Sequence, residues 1–324
     1  MKQLIFKELY SIAHDILHIY LTLLKIMVPA LLIVKGFELL GAIEWIASLL
    51  GPLMKLVGLP SSMGIVWATT IFTNIYGGMV VFFELASHEN LTVAQVSVLG
   101  GMMLIAHGLP VEAAIAKKAG VRLRATLSIR ILGALLFGFI LNITYQNGDY
   151  LQQINHLVWQ PELNKLSLLE WCYEQLKTLL MVLVIISLLI ILIRLLKWLH
   201  IERLMHWLLS PILKLLGLSK QAANITVIGI TLGLSFGGGL LIKEAESGLL
   251  STKDIFIAMT LLALCHSLIE DTLLIMILGA HISGVLWGRL AFTLIFIAMM
   301  SHLLNWKKGS AIYRFGINSH QNTE

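Results

Sequence analysis

The chain is predicted to be an all-α, polytopic transmembrane protein with two inverted repeats, discontinuous helices and interfacial amphipathic helices. Three observations point there. Of 324 residues, 58% are hydrophobic and only 13% charged, with a mean hydropathy of +0.87, more apolar than a soluble core of this size requires. Several apolar runs approach or exceed the roughly 18–20 residues that a helix needs to cross a bilayer. They are Tyr20–Leu40, Met63–Phe83, Leu91–Ala106, Ile129–Ile143, Leu176–Ile193, Ala222–Ile242, Ile255–Ile269 and Val285–Met300. The same glycine, histidine and acidic landmarks also occur twice along the chain.

The opening residues, "MKQLIFKELYSIAHDIL", are not a secretory signal, because Glu8, His14 and Asp15 interrupt the apolar part and no small-residue cleavage site follows. Ile5, Phe6, Leu9, Ile12 and Ile16 recur at helical spacing, so residues 1–19 are expected to form an amphipathic helix at the membrane surface. Repeat 1 follows over 20–143, an extracytoplasmic linker over 144–172, repeat 2 over 173–304, and a cytoplasmic tail over 305–324. The net charge of +5 comes from Lys/Arg clusters of the kind found in cytoplasmic loops. No basic stripe with interleaved aromatics occurs, so nucleic acid is not an expected partner. Cys172 and Cys265 stand alone, without metal-ligand spacing or a disulfide framework.

The duplication rests on aligned landmarks. "GPLMKLVGLP" (51–60) matches "SPILKLLGLS" (210–219) at Pro, Lys, Leu, Gly and Leu. "MLIAHGLPVE" (103–112) lines up with "LALCHSLIED" (262–271), placing His107 on His266 and Glu112 on Asp271. With one inserted residue, Gly77-Gly78 falls on Gly237-Gly238 and Glu84 on Glu244, while Lys35 lands on Arg194.

Charge sets the orientation. Lys117, Lys118, Arg122, Arg124 and Arg130 form one basic cluster, Arg194, Lys197 and Arg203 a second, Lys307, Lys308 and Arg314 a third. The positive-inside rule puts all three in the cytoplasm with Lys2 and Lys7. The linker carries Asp149, Glu162 and Glu170 against only Lys165, so it belongs outside. Equivalent spans of the two halves then run in opposite directions, and both termini are cytoplasmic in a multi-pass inner (plasma) membrane protein. Inverted repeats of this kind are a common scaffold of secondary transporters.

Two features of each repeat disfavour a plain spanning helix. Tyr76-Gly77-Gly78 and Phe236-Gly237-Gly238-Gly239 either pack helices closely or unwind where backbone faces a cavity. "HGLPVE" (107–112) combines Gly108 with Pro110, which lacks a backbone donor. Segments 92–119 and 253–281 are therefore expected to be helical pairs broken beside His107 and His266.

The candidate ion- or proton-coupling residues are Glu84, His107, Glu112, Glu244, His266, Glu270 and Asp271, since charged groups at depth usually face a cavity or a partner. Glu84 and Glu244 can equally mark the headgroup ends of their spans. His266 and Glu270 share a helical face, which suits a relay or half a metal site, whereas residue 111 is Val and gives His107 no such partner. Thr73, Asn74, Gly77, Gly78, Ser235, Gly237 and Gly238 are the candidate solute contacts. No catalytic residue, metal ligand or cofactor is assigned.

This pattern resembles the Gate domain, or nucleoside recognition domain: a P-x-x-K-L-x-G-L stretch, a polar-led apolar helix with a Gly pair, then a His/Gly/acid break. Similar modules are found in ferrous-iron transporter gates, concentrative nucleoside transporters and spore maturation proteins A and B. The resemblance spans about 20–143 and 173–304 and implies inverted gate repeats with a transport-like role. It does not name the substrate, and no GxxxxGK[ST] motif supplies a GTP-binding domain.

The expected function is transport of a small polar solute or ion, nucleoside-like or otherwise, by alternating access, in contact with membrane lipids and as a homodimer or with a partner membrane subunit. Two alternatives are a metal-dependent intramembrane enzyme acting on a lipid-linked substrate, with His266 and Glu270 as ligands, and a non-transporting assembly subunit. An enzyme is not the favoured reading, because neither HExxH nor a nucleophile elbow occurs.

Overall fold

The structure is a computed structural model and describes residues 2–157, 159, 167–305 and 316, without the side chains of 2–9, 197, 202, 232, 235, 236 and 305. The described residues form fourteen α-helices and one π-helical segment, with no strand. The first half holds α1 (Lys2–Leu39), α2 (Ala42–Leu56), α3 (Met63–Phe72), α4 (Ile75–Ala86), α5 (Val93–Ile105), α6 (Leu109–Lys118) and α7 (Leu123–Asn147). The second holds α8 (Leu168–Trp198), α9 (Ile201–Leu215), α10 (Lys220–Leu232), α11 (Leu234–Glu246), α12 (Thr252–Leu264), α13 (Glu270–Ile277), a π turn (Ser283–Gly288) and α14 (Arg289–Asn305).

The halves match helix for helix. The offset of 159 residues between His107 and His266 also carries the bounds of α2 onto α9 and those of α5 onto α12. Among the described residues, five helical stretches are long and apolar enough to cross a membrane: Tyr10–Leu39, Val93–Lys118, Leu123–Asn147, Leu168–Leu196 and Ser283–Leu304. Their outer faces remain apolar, with Leu32 58%, Leu132 62%, Leu188 62% and Met299 61% exposed, which only lipid makes tolerable at this scale. This is a multi-pass membrane protein in contact with lipid.

The equivalent helices α1 and α8 lie antiparallel. Arg194, near the end of α8, reaches Ser11 and Asp15 near the start of α1. Tyr20 donates to the Leu179 carbonyl in the middle. Lys35 lies over the Trp171 ring at the other end.

Several boundaries differ from the sequence expectation. The amphipathic segment expected over 1–19 is continuous with the first span over its described residues, because no glycine or proline precedes Pro29 and α1 runs unbroken from Lys2 to Leu39. The 144–172 linker is shorter at both ends, with α7 reaching Asn147 and α8 beginning at Leu168. Its first part is bonded down: Val93 N–H donates to Gln153, Ala94 N–H to Leu151, and Asn155 donates to the Leu278 carbonyl. Residues 158 and 160–166, with Glu162 and Lys165, lie outside the described residues. So does the tail apart from 305 and 316, including Lys307, Lys308 and Arg314.

The runs Met63–Phe83 and Ala222–Ile242 are each divided, but not at the glycine clusters. The first breaks at Thr73–Asn74, where Thr73 leaves helical geometry (φ −115°, ψ −96°) and Asn74 is extended. The second breaks at Gly233, with φ 92°. Gly77, Gly78, Gly237 and Gly238 sit within helices, where they let neighbours approach. A Cβ on Gly78 would collide with the Thr70 side chain, and one on Gly237 with the backbone of Gly229. The close-packing reading therefore describes both clusters.

Candidate functional site

Helices α5 and α12 both end in mid-chain, and the residues after them carry the histidines. Beyond Ile105, Ala106 leaves the helix (φ −128°, ψ 81°) and Gly108 adopts a left-handed φ of 56°. Pro110 then opens α6, where a missing N–H costs nothing. Beyond Leu264, Cys265 does the same as Ala106 (φ −150°, ψ 79°), and Ser267 takes φ 44° before α13 begins.

Each break is fixed to the other break of its own half. Gly108 N–H donates to the Thr70 carbonyl at 3.0 Å, and Leu268 N–H to the Ile230 carbonyl at 2.8 Å. These acceptors are freed because α3 and α10 stop two residues later. Four interrupted helices thus meet around one point.

At that point His107 and His266 face one another, with Nε2 to Nε2 at 3.0 Å and ring centroids 4.9 Å apart. Both rings are buried. His107 Nδ1 lies 2.9 Å from the Met103 carbonyl and His266 Nδ1 2.7 Å from the Leu262 carbonyl. A carbonyl can only accept, so each Nδ1 carries a hydrogen, and in a neutral ring each Nε2 presents its lone pair.

Two carboxylates approach the same nitrogens. Glu112 Oε1 lies 3.2 Å from His107 Nε2 and 3.4 Å from His266 Nε2. Asp271 Oδ2 lies 3.8 and 4.0 Å from them, and is buried without a hydrogen-bond partner among the described residues.

Two fully buried arginines hold this centre from behind. Arg130 Nε donates to the Ile105 carbonyl at 2.8 Å and its guanidinium pairs with Glu112 Oε2. Arg289, its counterpart, donates from Nε to Leu264 at 2.9 Å and from Nη2 to Leu104 at 3.2 Å and His266 at 3.0 Å. Each guanidinium therefore satisfies carbonyls left open at a helix C-terminus, where positive charge is also favoured by the helix dipole.

An uncharacterized membrane protein of Bacillus subtilis (strain 168), YvoD, is 30% identical to this chain over 294 residues, covering 89% of the chain and 91% of that protein. The chain belongs to the YvoD family. No family model matches it and no solved structure does.

In this YvoD-family chain the predicted coupling residues divide into two groups. His107, Glu112, His266 and Asp271 come together, and Glu270 stands beside Asp271 at the start of α13. Glu84 does not join them. It is buried against α8, accepting from Trp171 Nε1 at 2.9 Å and from Gln175 Nε2. Glu244 lies half-buried in the last turn of α11, away from any break. Its counterpart Glu84 is thus an anchor between helices.

Among the predicted solute contacts, Thr73 and Asn74 lie at the first break, and the Thr73 carbonyl is 3.5 Å from where a Gly108 Cβ would be. Asn74 accepts from Gly77 N–H at 2.8 Å and so caps α4, while Thr73 donates back to Thr69. Gly77, Gly78, Gly237 and Gly238 are packed, and the Ser235 side chain lies outside the described residues.

Arg130 is not part of a cytoplasmic cluster: it is fully buried. Neither it nor Arg289 was singled out for the site from sequence. A signal was available, because the two arginines lie in apolar helices at the same 159-residue offset as the histidines. An apolar groove of about 820 Å³ between α7 and α14, lined by Leu136, Phe137 and Met299 among others, shares no residue with the centre.

Proposed function

We propose that this chain is a membrane transporter, or the membrane subunit of one, moving a small polar solute or ion by alternating access between two inverted Gate-like repeats. Antiparallel packing of the equivalent helices α1 and α8 supports the inversion. A histidine touching its own counterpart supports a pseudo-two-fold axis through the centre. In this reading both termini are cytoplasmic and the host membrane is the plasma membrane.

One observation carries the transport reading. The same module is held in two different packings around a shared buried polar centre. In the first half α4 lies against α1. In the second, its counterpart α11 lies against α6, with Gly238 seated on Ile115. Exchanging the two arrangements between the halves would yield a second conformation of the same fold, which is what alternating access needs. A rigid assembly subunit or an enzyme has no use for that difference, and no enzymatic activity is part of this proposal.

The test is flux. Protein reconstituted in liposomes is screened for uptake of small polar solutes and ions. Solute-specific uptake that exceeds empty liposomes and is lost with Asp271→Asn is the expected result. Absence of uptake for every class, with correctly inserted protein, refutes transport. Accessibility labelling tests the inversion separately, since 117–124 and 194–203 must react from the same side.

A further inference from the structure

We propose that His107, His266, Glu112 and Asp271 form a four-ligand site for one divalent transition-metal cation of the zinc class, built from both halves of the chain. The inference rests on side-chain geometry and does not depend on transport.

The converging atoms are all acceptors. Each imidazole donates its Nδ1 hydrogen to a carbonyl one turn back, from Met103 or Leu262. That leaves two Nε2 lone pairs opposed at 3.0 Å, which is repulsive unless a positive charge stands between them. Histidines that bind metals are held in this way, with the second nitrogen's hydrogen given to a carbonyl or carboxylate. Asp271 Oδ2 supplies the independent sign of a missing ligand: a buried carboxylate oxygen without a hydrogen-bond partner, within 4.8 Å of both imidazole nitrogens.

Size agrees. Bonds of about 2.0–2.1 Å from a tetrahedral ion give about 3.3 Å between ligand atoms. The observed separations are 3.0 Å between the histidines and 3.2 and 3.4 Å from them to Glu112. Asp271, at 3.8 and 4.0 Å, needs to close on the two nitrogens by about 0.5–0.7 Å to complete the same tetrahedron.

Charge and donor type narrow the ion. Glu112, Asp271 and the neighbouring Glu270 bring three negative charges, and Arg130 and Arg289 bring two positive ones, so neutral imidazoles leave the centre anionic. Arg130 binds Glu112 through Oε2 and so aims Oε1 at the histidines. Two imidazoles suit zinc, iron, cobalt or nickel, whereas magnesium and calcium prefer an all-oxygen shell.

The experiment uses the full-length chain in detergent, stripped with chelator and then equilibrated with Zn2+ or with Co2+, whose visible spectrum reports tetrahedral coordination. One equivalent of Zn2+ per chain is expected, with Co2+ giving intense tetrahedral bands and excess Mg2+ failing to compete. His107→Ala with His266→Ala should abolish binding, while His281→Ala, outside the cluster, should leave it intact. Should the double variant not fold, Asp271→Asn decides the matter by changing the Co2+ bands and weakening affinity at least tenfold. No stoichiometric zinc, or zinc retained unchanged in these variants, overturns the site and leaves a shared proton between the rings. Zinc binding without flux would sink the transport reading alone, and flux without zinc would sink the metal site alone.

Discussion

Arg289 offers the sharpest test of how the broken helices are held. It has no solvent exposure, and its guanidinium spans three carbonyls, those of Leu104, Leu264 and His266. Arg289→Met keeps comparable volume and removes all three donors. A buried acceptor left unpaired costs about 1–3 kcal/mol, so three give roughly 3–9 kcal/mol before relaxation. Removing a buried charge returns part of this as recovered desolvation, and a net loss of about 3–5 kcal/mol is expected, the range for breaking buried charge pairs. Arg203, exposed on α9, is the control, and Arg203→Met should shift stability by less than about 0.5 kcal/mol. Reversible unfolding in mixed detergent measures both. If Arg289→Met lies within about 1 kcal/mol of the parent, well below the cost of even a partly unmet set of carbonyls, the guanidinium is not what secures the break.

Four further outcomes follow from named contacts. Gly108→Ala must hold a left-handed residue (φ 56°), costing about 1–2 kcal/mol, although its methyl would find room beside Glu112 Oε1 at 3.4 Å; thermal unfolding should report the loss. Gly237→Ala should destabilise more than Gly239→Ala, because the first meets the Gly229 backbone and the second meets nothing within 4 Å; the two compared in one unfolding assay decide this. Glu84→Gln should cost about 1–2 kcal/mol through its mismatch with Gln175, yet leave any liposome flux unchanged; lost flux with retained stability would return Glu84 to the coupling machinery. Cysteines placed at 115 and 238, in a chain lacking Cys172 and Cys265, should form a disulfide under mild oxidation and arrest flux; free cycling after full cross-linking would show that α6 and α11 need not separate.

The helix breaks beside His107 and His266 were legible because Gly108 and Pro110 carry their own local cost, and the matching offset exposed the second. The divisions at Thr73–Asn74 and Gly233 were harder. Glycine clusters nearby are the louder signal, but the interruption is held by Gly108 and Leu268 bonding back to Thr70 and Ile230, a tertiary effect no local window contains. Arg130 misled for a similar reason: summing charge along a segment cannot tell a solvated arginine from one buried beneath a carboxylate. Asn74 stood out because its amide is polar at depth, and its Oδ1 turns out to cap Gly77 N–H, a local role the sequence pattern alone does not separate from solute contact. Histidines and acids were findable as types, while Asp271 and Glu112 as joint partners of both rings required the two halves to be folded together.

A side chain that meets its own counterpart has a consequence for ancestry. If a single short gene once encoded this module, two identical copies crossing the membrane in opposite senses would have built the same centre with perfect balance. In the present chain one half offers glutamate and the other aspartate, one methylene shorter, so the two acidic arms are no longer equal. The shorter arm stands further off, and a cation bound as proposed would be held more firmly by one half of the molecule than by the other.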